Sequence, residues 1–157
     1  MKKKLLIILL YCISVCMVGC GTLGDGFGEW NFPIPKKKLE IAIDSLYKIY
    51  PEYSIPEKWE KQNDWSERGY DFLESDIFYF KSSPEEMYYV TFIGDSATLA
   101  NPSNVSIGIR SVFKENTPKQ WLLSDDVDSK EKIRIENRFA SEIISKLEEY
   151  TKTKVSK

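Results

Sequence analysis

The sequence predicts an α+β domain: an antiparallel sheet of three to four strands, with an N-terminal helix and a long C-terminal helix packed on one face. Three observations predict it. Apolar residues recur at three-and-four spacing over residues 36–50 and again over 128–151, as a helix with one buried stripe requires. Between them, residues 77–113 hold aromatic and β-branched runs with period-two alternation, separated by turn residues. Helix, then strands, then helix is the order of an α+β fold rather than of alternating βαβ units.

In chain order, Leu39, Ala42, Ile43, Leu46, Tyr47 and Tyr50 form the first stripe, and Pro51 stops that helix. Ser54-Ile55-Pro56-Glu57 has capping-box spacing with proline in the first turn, which predicts a short helix to about Gln62. Residues 63–71 are polar and read as loop. Ile77 to Lys81 and Met87 to Ile93 read as a hairpin around Ser82-Ser83-Pro84-Glu85-Glu86. Val105, Ile107 and Ile109 alternate with polar or small residues before Val112 and Phe113, which predicts a strand with a bulge near Ser111. Trp121 to Leu123 is a short fourth strand. The last helix carries Ile133, Phe139, Ala140, Ile143, Ile144, Leu147 and Tyr150 on one side, behind an acidic N-terminus at Asp125, Asp126 and Asp128.

The N-terminus carries an address. Lys2, Lys3 and Lys4 precede an uninterrupted apolar or small run from Leu5 to Val18, fourteen residues, short for a bilayer span but suited to a secretory signal. The run ends at Met17-Val18-Gly19-Cys20, which resembles the lipobox of bacterial lipoproteins, with Met17 where leucine is commonest. The resemblance implies a diacylglycerol thioether on Cys20, usually with an N-acyl chain, and two chains suffice for stable anchoring. Gly21 to Glu29 is glycine-rich and reads as a flexible tether. The expected organisation is a signal peptide over 1–19, a lipidated cysteine and tether over 20–34, and one globular domain over 35–157. The expected location is the cell envelope, on the outer membrane or a periplasm-facing membrane if the cell is Gram-negative.

Cleavage at Cys20 would leave 138 residues, with 19 basic against 24 acidic and a net charge of about −5. That balance argues against nucleic acid, whose phosphates call for a basic footprint. Cys12 and Cys16 would leave with the signal, so the domain would hold no free thiol and no disulfide. Histidine is absent from the whole chain. Its absence excludes Ser-His-Asp and Cys-His catalysis and imidazole-ligated zinc, leaving carboxylates, lysines, tyrosines and hydroxyls for any chemistry.

The candidate sites each have a structural alternative. Asp125, Asp126, Asp128 and Glu131 could hold calcium, but they lack the glycine of an EF-hand loop and serve equally as helix caps. No metal or cofactor is expected. Ser129 to Lys132 and Ser111 to Lys114 share a Ser-x-x-Lys spacing too common to carry weight. Glu136 lies within the last helical stripe, with Arg110 across the sheet as an expected partner. Trp59 and Trp65 stand out in a polar segment; either they cover the second face of the sheet or they form an aromatic surface for a protein or glycan partner. Asp95-Ser96-Ala97 and Asp44-Ser45-Leu46 resemble the Asp-Ser/Thr-apolar O-glycosylation site of Bacteroidetes envelope proteins, and Ser96, in an expected turn, is the sensible acceptor.

These features point first to a non-catalytic, lipid-anchored binding or envelope-assembly domain. An immunity lipoprotein that neutralises an envelope-targeted toxin would also suit the acidic charge, if the toxin is basic. A glycan-acting enzyme would need two carboxyl groups facing a cleft roughly 5–9 Å apart.

Overall fold

In the computed structural model, which describes residues 26–157, five antiparallel strands form one sheet. They are β1 (Gly28–Phe32), β2 (Ser75–Phe80), β3 (Glu86–Ile93), β4 (Val105–Lys114) and β5 (Trp121–Leu122). The order is β1-β4-β3-β2, and β5 shares the β1 edge of β4, pairing at Val112 and Phe113. The expected α+β class and the β2–β3 hairpin are both present. The signal segment, Cys20 and the first part of the expected tether lie outside the described residues.

One boundary is corrected. Residues 28–32, assigned to the tether, form β1, and Trp30, Phe32 and Ile34 are buried in the main core. Their period-two spacing is a strand signal that the neighbouring glycines obscured. Of these, Gly26 and Gly28 answer to space and backbone conformation in the folded domain. A Cβ on Gly28 would lie 3.0 Å from the Trp30 ring and 3.2 Å from Cγ of Glu136. Gly26, at φ +69°, would place a Cβ 2.8 Å from the Ile109 carbonyl oxygen, beside the bond that Phe27 N–H donates to that oxygen. The ordered domain therefore includes residues 26–34 rather than beginning at 35.

Helix α1 (Lys36–Ile49) buries Leu39, Ala42, Ile43 and Leu46 as its stripe predicts, and a 3₁₀ turn at Pro51–Tyr53 follows. A one-turn helix, α2 (Ser96–Leu99), links β3 to β4. The C-terminal rod is α3 (Ser129–Phe139), a π-turn (Ala140–Ile144) and α4 (Ser145–Thr151). Asp128 caps it, accepting from Glu131 N–H at 2.8 Å. Its buried residues include Ile135, Phe139, Ile143, Leu147 and Thr151, spaced strictly by four. In a 3.6-residue helix each such step drifts by about 40°, which would carry the stripe off the sheet within a few turns. The wider π-turn absorbs the drift by inserting one residue. That insertion corrects the expected stripe: N-terminal of it the register moves by one, so Ile135 is fully buried and Ile133 is 56% exposed. Both α1 and the rod cover the same sheet face, as expected.

The other face is covered by the segment after α1. The capping box expected at Ser54–Glu57 is not formed; Pro56 caps a 3₁₀ helix (Glu57–Gln62) without a side-chain bond. That helix lays Trp59 on the sheet, in a second cluster with Trp65, Ile77, Tyr79, Met87, Tyr89, Phe113 and Trp121. The bulge expected near Ser111 falls at Arg110, between the pairs Tyr89↔Ser111 and Val90↔Ile109. It switches the alternation, so Ile109 and Val112 both face the helices while Phe113 faces the second cluster.

Candidate functional site

The structure resolves the two readings of the tryptophans in favour of cover. Trp59 is 4% exposed and Trp65 is 6% exposed. Trp59 meets Tyr79 and Phe113 edge-on, and Trp65 stacks on Tyr89 with ring centroids 4.0 Å apart. Trp121 Nε1 donates to the Gln62 carbonyl at 3.1 Å, tying the cover to the sheet. The aromatic partner surface expected at Trp59 and Trp65 is thereby corrected: their rings are spent on the second core. Ser96 is exposed at the start of α2, where Asp95 caps the turn by accepting from Thr98 N–H at 2.8 Å. The acids before the last helix act as caps and ion pairs: Asp126 accepts from Leu123 N–H and Lys119, and Glu131 pairs with Lys114 and Arg134. Among the described residues no group of acids has metal-holding geometry, and no helix is long and apolar enough to cross a membrane.

Glu136 does not meet Arg110. Arg110 Nε donates to Thr91 Oγ1 at 3.0 Å, and Glu136 pairs with Lys157 at the C-terminus. The sheet separates them: Arg110 reaches Thr91, which alternates in phase with Tyr89 of the second cluster, whereas the rod packs on the other face, and the π-turn also carries Glu136 off the buried line to its flank. The buried carboxylate is Glu86, which is fully enclosed. Arg134 Nη2 donates to its Oε1, Arg138 Nη1 lies 3.1 Å from Oε2, Lys114 Nζ 3.3 Å from Oε1, and the Tyr88 hydroxyl donates to Oε2 at 3.0 Å. Arg138 also donates to the Ser82 and Pro84 carbonyls, at 2.9 and 2.6 Å, fastening the hairpin loop to the rod. With both oxygens engaged by protein donors, Glu86 is a clamp between sheet and rod rather than a ligand site. Its sequence signal was its place at the head of β3, in phase with Tyr88 and Val90, opposite arginines four apart.

A different arrangement lies at the free side of β2. Asp76 is half-buried on the helix-facing side of that strand, between two clefts. One, of about 370 Å³, runs along the strand edge between Tyr47, Ile55 and Asn63. The other, of about 390 Å³, lies between β2 and α1 and is lined by Glu40, Asp44, Glu74 and Asp76. Glu40 and Glu74 share Lys36, and Lys37 also reaches Glu40, whereas Asp44 and Asp76 have no cationic partner among the described residues. Burial, then the nearby carboxylates of Asp44 and Glu40, push the Asp76 carboxyl up to about 6. Such a group can exchange a proton near neutrality or receive a cation. Sequence reading missed it because one aspartate beside a strand has no motif; only the approach of α1 makes it unusual. No family model, curated protein or solved structure matches this chain, so the chemistry of these clefts stands on their own residues.

Proposed function

We propose that this chain is a lipid-anchored cell-envelope lipoprotein, acylated at Cys20, whose folded domain works by binding rather than catalysis. The partner is a protein or glycan of the envelope, and the binding site is the acidic cleft pair beside β2. The observation that supports this reading is Asp76 with Asp44: two carboxylates without cations, flanked by clefts, in a domain whose other large polar cluster is closed on itself. Two measurements test it. Mass spectrometry of the mature protein should find acyl mass on Cys20, and Cys20→Ala should abolish it; an unmodified Cys20 sinks the anchor. Cross-linking in intact envelopes should capture a partner whose yield falls several-fold in Asp44→Asn/Asp76→Asn. Equal yield from both proteins would move binding away from this site.

One observation favours a second reading. A carboxyl raised to about 6 beside a second carboxylate is also the equipment of a glycan-cleaving acid. The purified chain is expected to release no fragments from envelope glycans. Turnover that vanishes in Asp76→Asn while the fold persists would replace binding by catalysis.

A further inference from the structure

β2 bonds to β3 through every second residue. Phe92 N–H donates to the Glu74 carbonyl at 3.0 Å, and the register continues through Asp76↔Val90 and Phe78↔Tyr88. In an antiparallel pair the intervening residues turn their N–H and C=O groups the other way. Those of Ser75 and Ile77 therefore point away from the sheet. Of these, the Ile77 carbonyl accepts from the Tyr47 hydroxyl at 2.9 Å. The remaining groups border the cleft that Tyr47, Ile55 and Asn63 line, and Ser75 is exposed. The opposite side of the sheet is closed differently. Asn31 of β1 exchanges both backbone bonds with Ser156, at 2.8 and 3.1 Å, so the C-terminal tail covers that edge.

The charge around the open edge selects an occupant. A second copy, pairing β2 with β2, would set Asp44 and Asp76 of both chains against one another, a like-charge juxtaposition that opposes pairing. An extended peptide supplies a row of amide donors and acceptors at strand spacing, and a basic side chain on it complements the unpaired carboxylates. Side chains on such a strand alternate faces, so a cation directed at Asp76 leaves its two neighbours directed into the Ile55–Asn63 cleft.

We propose that the edge of β2 at Ser75–Ile77 docks an extended segment of a partner protein by strand addition, with a lysine or arginine of that segment seated against Asp76 and Asp44. This rests on the binding reading above and narrows its partner to a protein with a cationic strand.

The test uses the full chain purified from membranes in detergent, with three probes: a short capped peptide alternating threonine and lysine, its glutamate counterpart, and an N-acetylglucosamine oligomer. Hydrogen exchange at the Ser75 and Ile77 amides is expected to slow about tenfold or more with the lysine peptide alone. Asp76→Asn should weaken that peptide roughly five- to tenfold, the effect of one partly desolvated charge pair. Ser75→Pro, which removes an outward N–H at the first strand residue, should abolish docking, whereas Ser75→Ala should keep it. Melting curves establish that the variants fold. Protection by the oligomer instead, by both peptides equally, or by none of the probes overturns the proposal. So does lysine-peptide binding that Ser75→Pro leaves intact. If envelope capture succeeds while the lysine peptide leaves both amides unprotected, strand addition fails and the binding reading stands. If the peptide docks as expected but envelopes yield no partner, the binding reading fails instead.

Discussion

Asp76 and Glu86 lie on neighbouring strands and face the same helix layer, yet their surroundings give them opposite roles. Glu86 meets two arginines and a lysine, so its burial is compensated. Glu86→Ala leaves those cations without their anion and should cost about 3–5 kcal/mol, readable as a lower urea midpoint; a change under about 1 kcal/mol would show the clamp to be dispensable. Asp76 faces Asp44, Glu40 and Tyr47 from α1 and Glu74 from the residue just before its own strand, and it lacks a cation of its own. Its carboxyl holds its proton more tightly folded, at about 6, than unfolded, at 3.8. Protonation therefore favours the folded state, and the stability it adds is lost as pH rises from 3.8 through 6. The swing is on the order of 3 kcal/mol at most, from about two pKa units. Glu131 has the opposite sign: hydrogen bonding to Arg134 holds its carboxyl at about 2, below its ordinary 4.5, so its contribution falls away only as pH drops below that ordinary value. The melting temperature should thus rise between pH 7 and pH 5, and Asp76→Asn should flatten that rise. An unchanged slope in the variant would show that Asp76 is not the titrating group.

Among the elements, the rod makes the sharpest prediction, because its π-turn reassigns which isoleucine is buried. Ile135→Ala should cost about 2–5 kcal/mol as a core truncation, while Ile133→Ala, at an exposed site, should stay within about 0.5 kcal/mol. The reverse ranking would restore the uninterrupted helical stripe and remove the π-turn. The cover segment makes another. Trp65→Ala should destabilise by about 3–5 kcal/mol, since it empties a stacked, nearly enclosed position on the second face. Near-native stability of this variant would return Trp65 to the surface. The stripe of α1 and the β2–β3 alternation were legible because their periods depend on short stretches of chain. The π-turn was not, because the choice between a drifting 3.6-residue helix and a widened one depends on the flatness of the sheet beneath.

For the whole molecule, the two edges of the sheet divide the work. Phe27 and β1 lie at one edge, and the C-terminal tail seals that edge through Asn31 and Ser156. β2 lies three strands away from β1, roughly 14 Å at ordinary strand spacing, so the proposed docking edge is the one opposite β1. Removing residues 26–34 takes out Trp30, Phe32 and Ile34 together with the strand that shields β4, and the remaining chain should lose its cooperative melting transition. A truncated chain that melts as the full one does would make β1 an accessory. By itself the sequence determined the α+β class, both helices, the hairpin and the bulge near Ser111, along with the expectation of a lipid anchor at Cys20. Each is written in the spacing or chemistry of neighbouring residues. Only the tertiary structure decided that residues 28–32 are a strand, that Trp59 and Trp65 are cover, that Glu86 and not Glu136 is the buried carboxylate, and that Asp76 sits beside an open edge. Each of those depends on which distant segment packs against a residue, and burial, partners and pKa belong to that packing rather than to the residue itself.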